Sequence, residues 1–112
     1  MNLLRDQSIE LSIPMNADHN SIVVDVRDFE SALFTAQWAG GNSTTGTVEL
    51  QISNDAGTNF EGYPAGLYNI LATSGAHHWQ FSAGAIPFVR FAYKKGGNTA
   101  GTISLTAWVK RR

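Results

Sequence analysis

Three histidines, His19, His77 and His78, are the side chains here best suited to acid–base or metal chemistry. Adjacent residues on a strand face opposite sides, so His77 and His78 do not share one metal. No HxH or HExxH spacing supplies a further ligand. A surface strand or loop accounts for the pair. Asp25, Asp28 and Glu30 gather near one corner, and Asn54, Asp55 and Asn59 near another. Oxygen clusters of this kind can hold a hard cation. Neither has the spacing of a calcium loop, and turn formation explains both. Glycosidic cleavage needs two carboxylates across a cleft, and the sequence alone places no such pair. Gly40-Gly41 and Gly96-Gly97 lack the following Lys-Ser/Thr and the helix of a phosphate loop. There is no cysteine, hence no thiolate and no disulfide framework. The expectation is a protein without catalytic residues, metal ligands or cofactor.

The elements that would carry these residues read as strands. Ile9, Leu11 and Ile13 alternate with polar residues, and so do Ile22, Val24 and Val26. The same period of two runs through Ala32–Trp38, Val48–Ile52, Val89–Tyr93 and Ile103–Val109. Side chains on a strand alternate between faces, so each run has one apolar and one polar side, as in antiparallel sheets packed on one face. Strands are predicted at Ser8–Ile13, Ser21–Val26, Ser31–Trp38, Thr47–Ser53, Phe60–Tyr63 (ended by Pro64), His77–Ser82, Phe88–Lys95 and Thr102–Lys110. Asn54 to Asn59 is a turn in which Gly57 takes a positive φ, and Gly96-Gly97-Asn98 is the last hairpin turn. Leu67 to Leu71 is ambiguous. The fold class is all-β: an antiparallel β-sandwich or jelly roll of seven or eight strands. Residues 1–7 form an N-terminal arm, and 8–112 a single domain. Trp38, Leu50, Ile52, Phe91 and Leu105 fall on the inward phase and are predicted to form the core.

Composition limits the partners. A chain of 112 residues suits one domain with one core. Net charge is −1, which excludes a nucleic-acid binder relying on a broad basic surface. The basic cluster Lys110, Arg111 and Arg112 reads as a solvated tail. No apolar run reaches the roughly eighteen residues of a membrane helix, and Met1–Asp6 has no apolar signal-peptide core. Synthesis in the cytoplasm is expected, with no membrane contact. Charged residues are only 15% of the chain, which suits a β-rich domain shielded by neighbours in an assembly.

Val23, Leu33, Phe88 and Trp108 break the alternation and should face away from the core. Exposed apolar residues in a group mark a partner surface, whereas a covering loop would bury them. With Leu3, Leu4 and Arg5 of the arm they form the candidate interface. Tyr63, Tyr68 and Trp79 lie near loops, where they plug the open ends of the sandwich or stack on sugars.

Between Thr47 and Lys110 the chain resembles a recurrent module of tailed-phage virion proteins. The residues that carry the likeness are Val48–Phe60, with its Ser53-Asn54-Asp55 turn, then Phe88–Tyr93, then the Gly-rich Gly96–Thr102. Ala56 is inserted before Gly57, and Phe60 replaces a usual Trp. The chain looks most like the small jelly-roll cement, or decoration, proteins that staple the capsids of short-tailed bacteriophages. That resemblance implies a non-enzymatic virion structural protein on the outer capsid surface, made in the host cytoplasm. It also implies many copies, contacts to the major capsid protein, and possible pairing with a twin subunit as a homodimer or higher oligomer. Related sandwiches occur in carbohydrate-binding modules and in tail-fibre receptor-binding domains, which remain the alternative.

Overall fold

A computed structural model describes residues 7–27, 29–53, 59–82 and 88–111. They form nine strands and, among the described residues, no helix. The strands are β1 (Gln7–Pro14), β2 (His19–Asn20), β3 (Val24–Asp25), β4 (Phe29–Ala39), β5 (Thr47–Ser53), β6 (Glu61–Asn69), β7 (Gly75–Ser82), β8 (Phe88–Lys94) and β9 (Thr102–Arg111). One sheet has the order β1-β9-β4-β7; the other runs β2-β8-β5-β6, with β3 also paired to β8. Every pairing is antiparallel. Taken as one interrupted strand, β2 and β3 complete an eight-strand count. The orders are then 1-8-3-6 and 2-7-4-5, the double Greek key of a jelly roll.

The inward faces meet in one core. Phe34 on β4 and Phe91 on β8 pack edge to face across the two sheets, with ring centroids 5.6 Å apart. Trp79 on β7 lies 5.4 Å from Phe91. Trp38, Leu50, Phe91 and Leu105 are buried as their phase requires. Ile52 is not: it sits near the end of β5 and stays partly exposed. The alternation of β4, β8 and β9 follows the sequence closely because these strands have neighbours on both sides.

Four expectations need correction. In β1, Leu11 is exposed rather than in phase with Ile13. The register against β9 shifts twice, Ser12 takes φ 55°, and its N–H donates to Ser104 Oγ (3.0 Å). Such bulges turn the face of a strand. The strand expected over Ser21–Val26 is broken in two. Ser21 Oγ, not a backbone carbonyl, accepts the Phe91 N–H (2.8 Å), and the Glu10 carboxylate takes the Ile22 N–H (2.8 Å). Ile22 is therefore exposed, although the alternation Ile22, Val24, Val26 points it inward. The strand expected to stop at Pro64 continues to Asn69. It is an edge strand, where a missing N–H on the open side costs no ladder bond. Finally, Gly96-Gly97-Asn98 makes a turn closed by Asn98 N–H to Lys95 O (2.9 Å), with Gly96 at φ 57°. It is not a hairpin, because β8 and β9 lie in different sheets. The arm residues 1–6 and the turn residues 54–58, Gly57 included, lie outside the described residues.

Candidate functional site

The two ends of the sandwich differ in chemistry. At one end the segments 14–18, 40–46 and 95–101 are tied together by a single buried side chain, Asn98. Its Oδ1 accepts the N–H groups of Asn42 (2.8 Å) and Ser43 (3.1 Å). Its Nδ2 donates to the carbonyls of Met15 (3.2 Å) and Ala100 (2.5 Å). The Tyr93 hydroxyl donates to the same Met15 carbonyl (2.9 Å), and burial raises its pKa. The sequence marked Asn98 only as a turn residue.

At the opposite end the register brings together Phe29 with Arg111, Ser31 with Ser82, and Ser53 and Asp25 with Phe88. Here the off-phase residues collect. Leu33 and Trp108 stand opposite each other on β4 and β9, the two central strands of their sheet. Both point outward, 36% and 45% exposed, far more than their buried neighbours Ala32 and Val109. With Ser31, Gln80 and Lys110 they line a shallow cleft of about 280 Å³. Its rim carries an ion pair, Lys110 Nζ to Glu30 Oε1 at 3.3 Å. A second cleft, of about 270 Å³, opens at the sandwich edge between Ile9, Ile22, Val23, Val24 and Phe29. Val109 lines both clefts, so they flank the last third of β9. Val23 is 45% exposed, and Ile22, which the periodicity had assigned inward, more so at 57%.

Phe88 is placed differently from Leu33 and Trp108. It is half-buried, and the Arg27 guanidinium lies 5.2 Å from its ring centroid. The same guanidinium chelates Asp25, through Nε to Oδ1 (2.9 Å) and Nη2 to Oδ2 (2.5 Å). That side-chain hydrogen bonding holds the Asp25 carboxyl below its ordinary pKa. Asp25 is thereby occupied by a cation of the chain itself. Asp28, like Leu3, Leu4 and Arg5, lies outside the described residues. Among the described residues no three His, Cys, Asp or Glu side chains come together as a metal set.

The histidines are dispersed. His77 faces inward, stacked on Tyr68 with centroids 4.0 Å apart and edge-on to Trp79 at 4.7 Å. His78 faces the other way, its Nδ1 2.8 Å from Thr35 Oγ1. His19 donates from Nε2 to the Glu10 carboxylate at 3.2 Å, joining the edges of the two sheets. Trp79 is buried and donates its indole N–H to Gly66 O (2.9 Å). Trp79, Tyr68 and His77 thus close the sandwich between β6 and β7, and Trp79 has no open ring face for a sugar.

Burial, and secondarily the neighbouring His78, depresses the pKa of His77 below 6.5. The folded protein resists a proton that the unfolded chain accepts. The stabilising difference is present above the unfolded pKa and is lost as pH falls through 6.5 toward the folded value. His77→Phe, which keeps a ring against Tyr68, should flatten that part of the profile. Denaturant melts of both proteins between about pH 7.5 and about pH 5 check this; parallel profiles would contradict it.

No family model matches the chain, and no curated protein matches it. No described helix is long and apolar enough to cross a membrane.

Proposed function

We propose that the protein is a capsid decoration, or cement, protein of a short-tailed bacteriophage. In this reading it binds the outer surface of the shell and stabilises contacts between major capsid protein subunits, without catalysis. One observation carries the proposal. Leu33 and Trp108 lie side by side, exposed, on two central strands whose inward residues, Ala32 to Trp38 and Ile103 to Val109 in alternation, are buried. A second apolar cleft with Ile22 and Val23 adjoins them across β9. Apolar residues grouped on one end of a small domain suit docking on a broad protein surface. The jelly-roll strand order and the likeness of Val48–Phe60 and Phe88–Tyr93 to phage virion modules support the same reading. A shell under internal pressure gains from many copies of a small bridging protein, since binding to the assembled state adds to its stability.

A buried aromatic anchor typically carries about 2 kcal/mol or more at an interface, roughly thirtyfold in affinity. Trp108→Ala should lower retention on particles by that order while leaving the melting temperature of the free protein little changed, because the indole faces solvent. Deleting residues 1–5, which removes Leu3, Leu4 and Arg5, should act in the same sense. Wild-type retention by both variants would remove the proposal. Retention on a polysaccharide that depends on Trp108, without binding to particles, would replace it with a glycan-binding module.

A further inference from the structure

We infer that the free edge of β7 is a self-association surface, on which a second copy of this chain adds its own β7 antiparallel about a two-fold axis. Each sheet has two outer strands, and unpaired edges invite further strands unless they are blunted. Three of the four edges here are blunted. β1 carries two register shifts, a positive φ at Ser12 and a terminal Pro14. β2 and β3 are two residues each. β6 contains Pro64 and Glu61, and its register against β5 shifts once.

β7 has none of these devices. It pairs with β4 over eight consecutive residues, Gly75 to Ser82, without a shift. Its sequence, GAHHWQFS, holds no proline and no Asp, Glu, Lys or Arg. Among the described residues no backbone hydrogen bond leaves β7 on the side away from β4. Alternate amides and carbonyls of this edge strand thus have no backbone partner among the described residues.

A second copy fits this edge for two reasons. Two-fold antiparallel pairing sets each residue opposite the one equally far beyond the axis, and like charges opposite one another are destabilising. β7 holds no Asp, Glu, Lys or Arg and so meets itself without such a pair in any register, whereas Glu10 on β1 and Glu61 on β6 meet their mates wherever the axis falls beside them. Leu71, in the connection that leads into β7, is 73% exposed. Strand addition alone buries mostly backbone, and this leucine supplies apolar area next to that end of the strand. The joined sheets would run β1-β9-β4-β7 and on through β7-β4-β9-β1 of the second copy. The inference rests on the edge alone and is independent of the decoration reading, since its test involves no capsid.

Light scattering on the full chain over a concentration series should approach twice the 12.1 kDa chain mass. The double variant Ala76→Lys, Gln80→Lys places two charges on exposed positions either side of His78. Any two-fold axis within the strand then brings like charges together, and the mass should fall to that of one chain. Leu11→Lys, also at an exposed position but on β1, should leave the dimer intact. Hydrogen exchange on the unaltered protein is a second readout that needs no variant. Amides facing away from β4 should exchange at least about tenfold more slowly at high than at low protein concentration. A monomer at every concentration would overturn the inference. So would a dimer in which alternate β7 amides keep exchanging freely.

Discussion

Asn98→Ala should destabilise the protein by about 3 kcal/mol or more, the largest effect expected for any polar side chain here. The reason is the number of strands and loops that one amide serves. Its oxygen takes two N–H groups from the β4–β5 loop, and its nitrogen serves Met15 after β1 and Ala100 before β9. Alanine leaves four backbone groups short of a partner at a position only 2% exposed. Each buried group left unpaired costs roughly 1–3 kcal/mol. Asn42 lies at the surface and can recover water, and Met15 O keeps the Tyr93 hydroxyl, so the sum stays below four full penalties. The check is the denaturant midpoint at unchanged slope. A shift below about 1 kcal/mol would mean that water replaces the amide at all four sites.

The value of that network was not legible in the sequence, and the reason is physical. Asn98 sits in a Gly-Gly-Asn-Thr run that reads as turn chemistry, and its partners are 56 and 83 residues away. Periodicity speaks only about neighbours along a strand. It placed β4, β8, β9 and β5 as far as Leu50 well because each is paired on both sides and has one face on the core, so packing enforces the alternation; at Ile52, near the end of β5, it did not hold. It failed at Leu11 and Ile22. There a serine hydroxyl and a glutamate carboxylate enter the ladder in place of backbone groups and change which face the following residues take. It also could not divide the strands between sheets, and so read the β8–β9 turn as a hairpin.

The candidate surface was legible in part, by exception. Leu33 and Trp108 break the alternation of otherwise regular strands, and the register sets them opposite each other. Val23 falls out of phase only along an unbroken strand; because the strand breaks there, its neighbour Ile22 is exposed as well. Phe88 breaks the alternation as well, yet Arg27 covers its ring. Periodicity shows that a residue points away from the core; it says nothing about a long side chain folding over it from the next loop.

Phe91→Ala should cost about 3–5 kcal/mol, and Leu50→Ala about 2–5. These two residues face each other across the β5–β8 pair and are 1% and 0% exposed. Phe91 is the hinge of the core in a literal packing sense: its ring touches Phe34 from the opposite sheet edge to face, and Trp79 from the β6–β7 closure. Removing it deletes one of the ring contacts that join the two sheets and leaves a space lined by three strands, which a jelly roll paired on both sides of β8 cannot easily collapse. Ile52 is the internal comparison. It lies on the same strand as Leu50 and was expected in the same core, but it is partly exposed, so Ile52→Ala should cost clearly less than either. Thermal and denaturant melts of the three variants should rank them Phe91, Leu50, Ile52. A chain near the usual stability of such domains has roughly 5–15 kcal/mol in total, so the first substitution should leave a folded but visibly weakened protein. If Ile52→Ala proved as costly as Phe91→Ala, the core would extend to the end of β5.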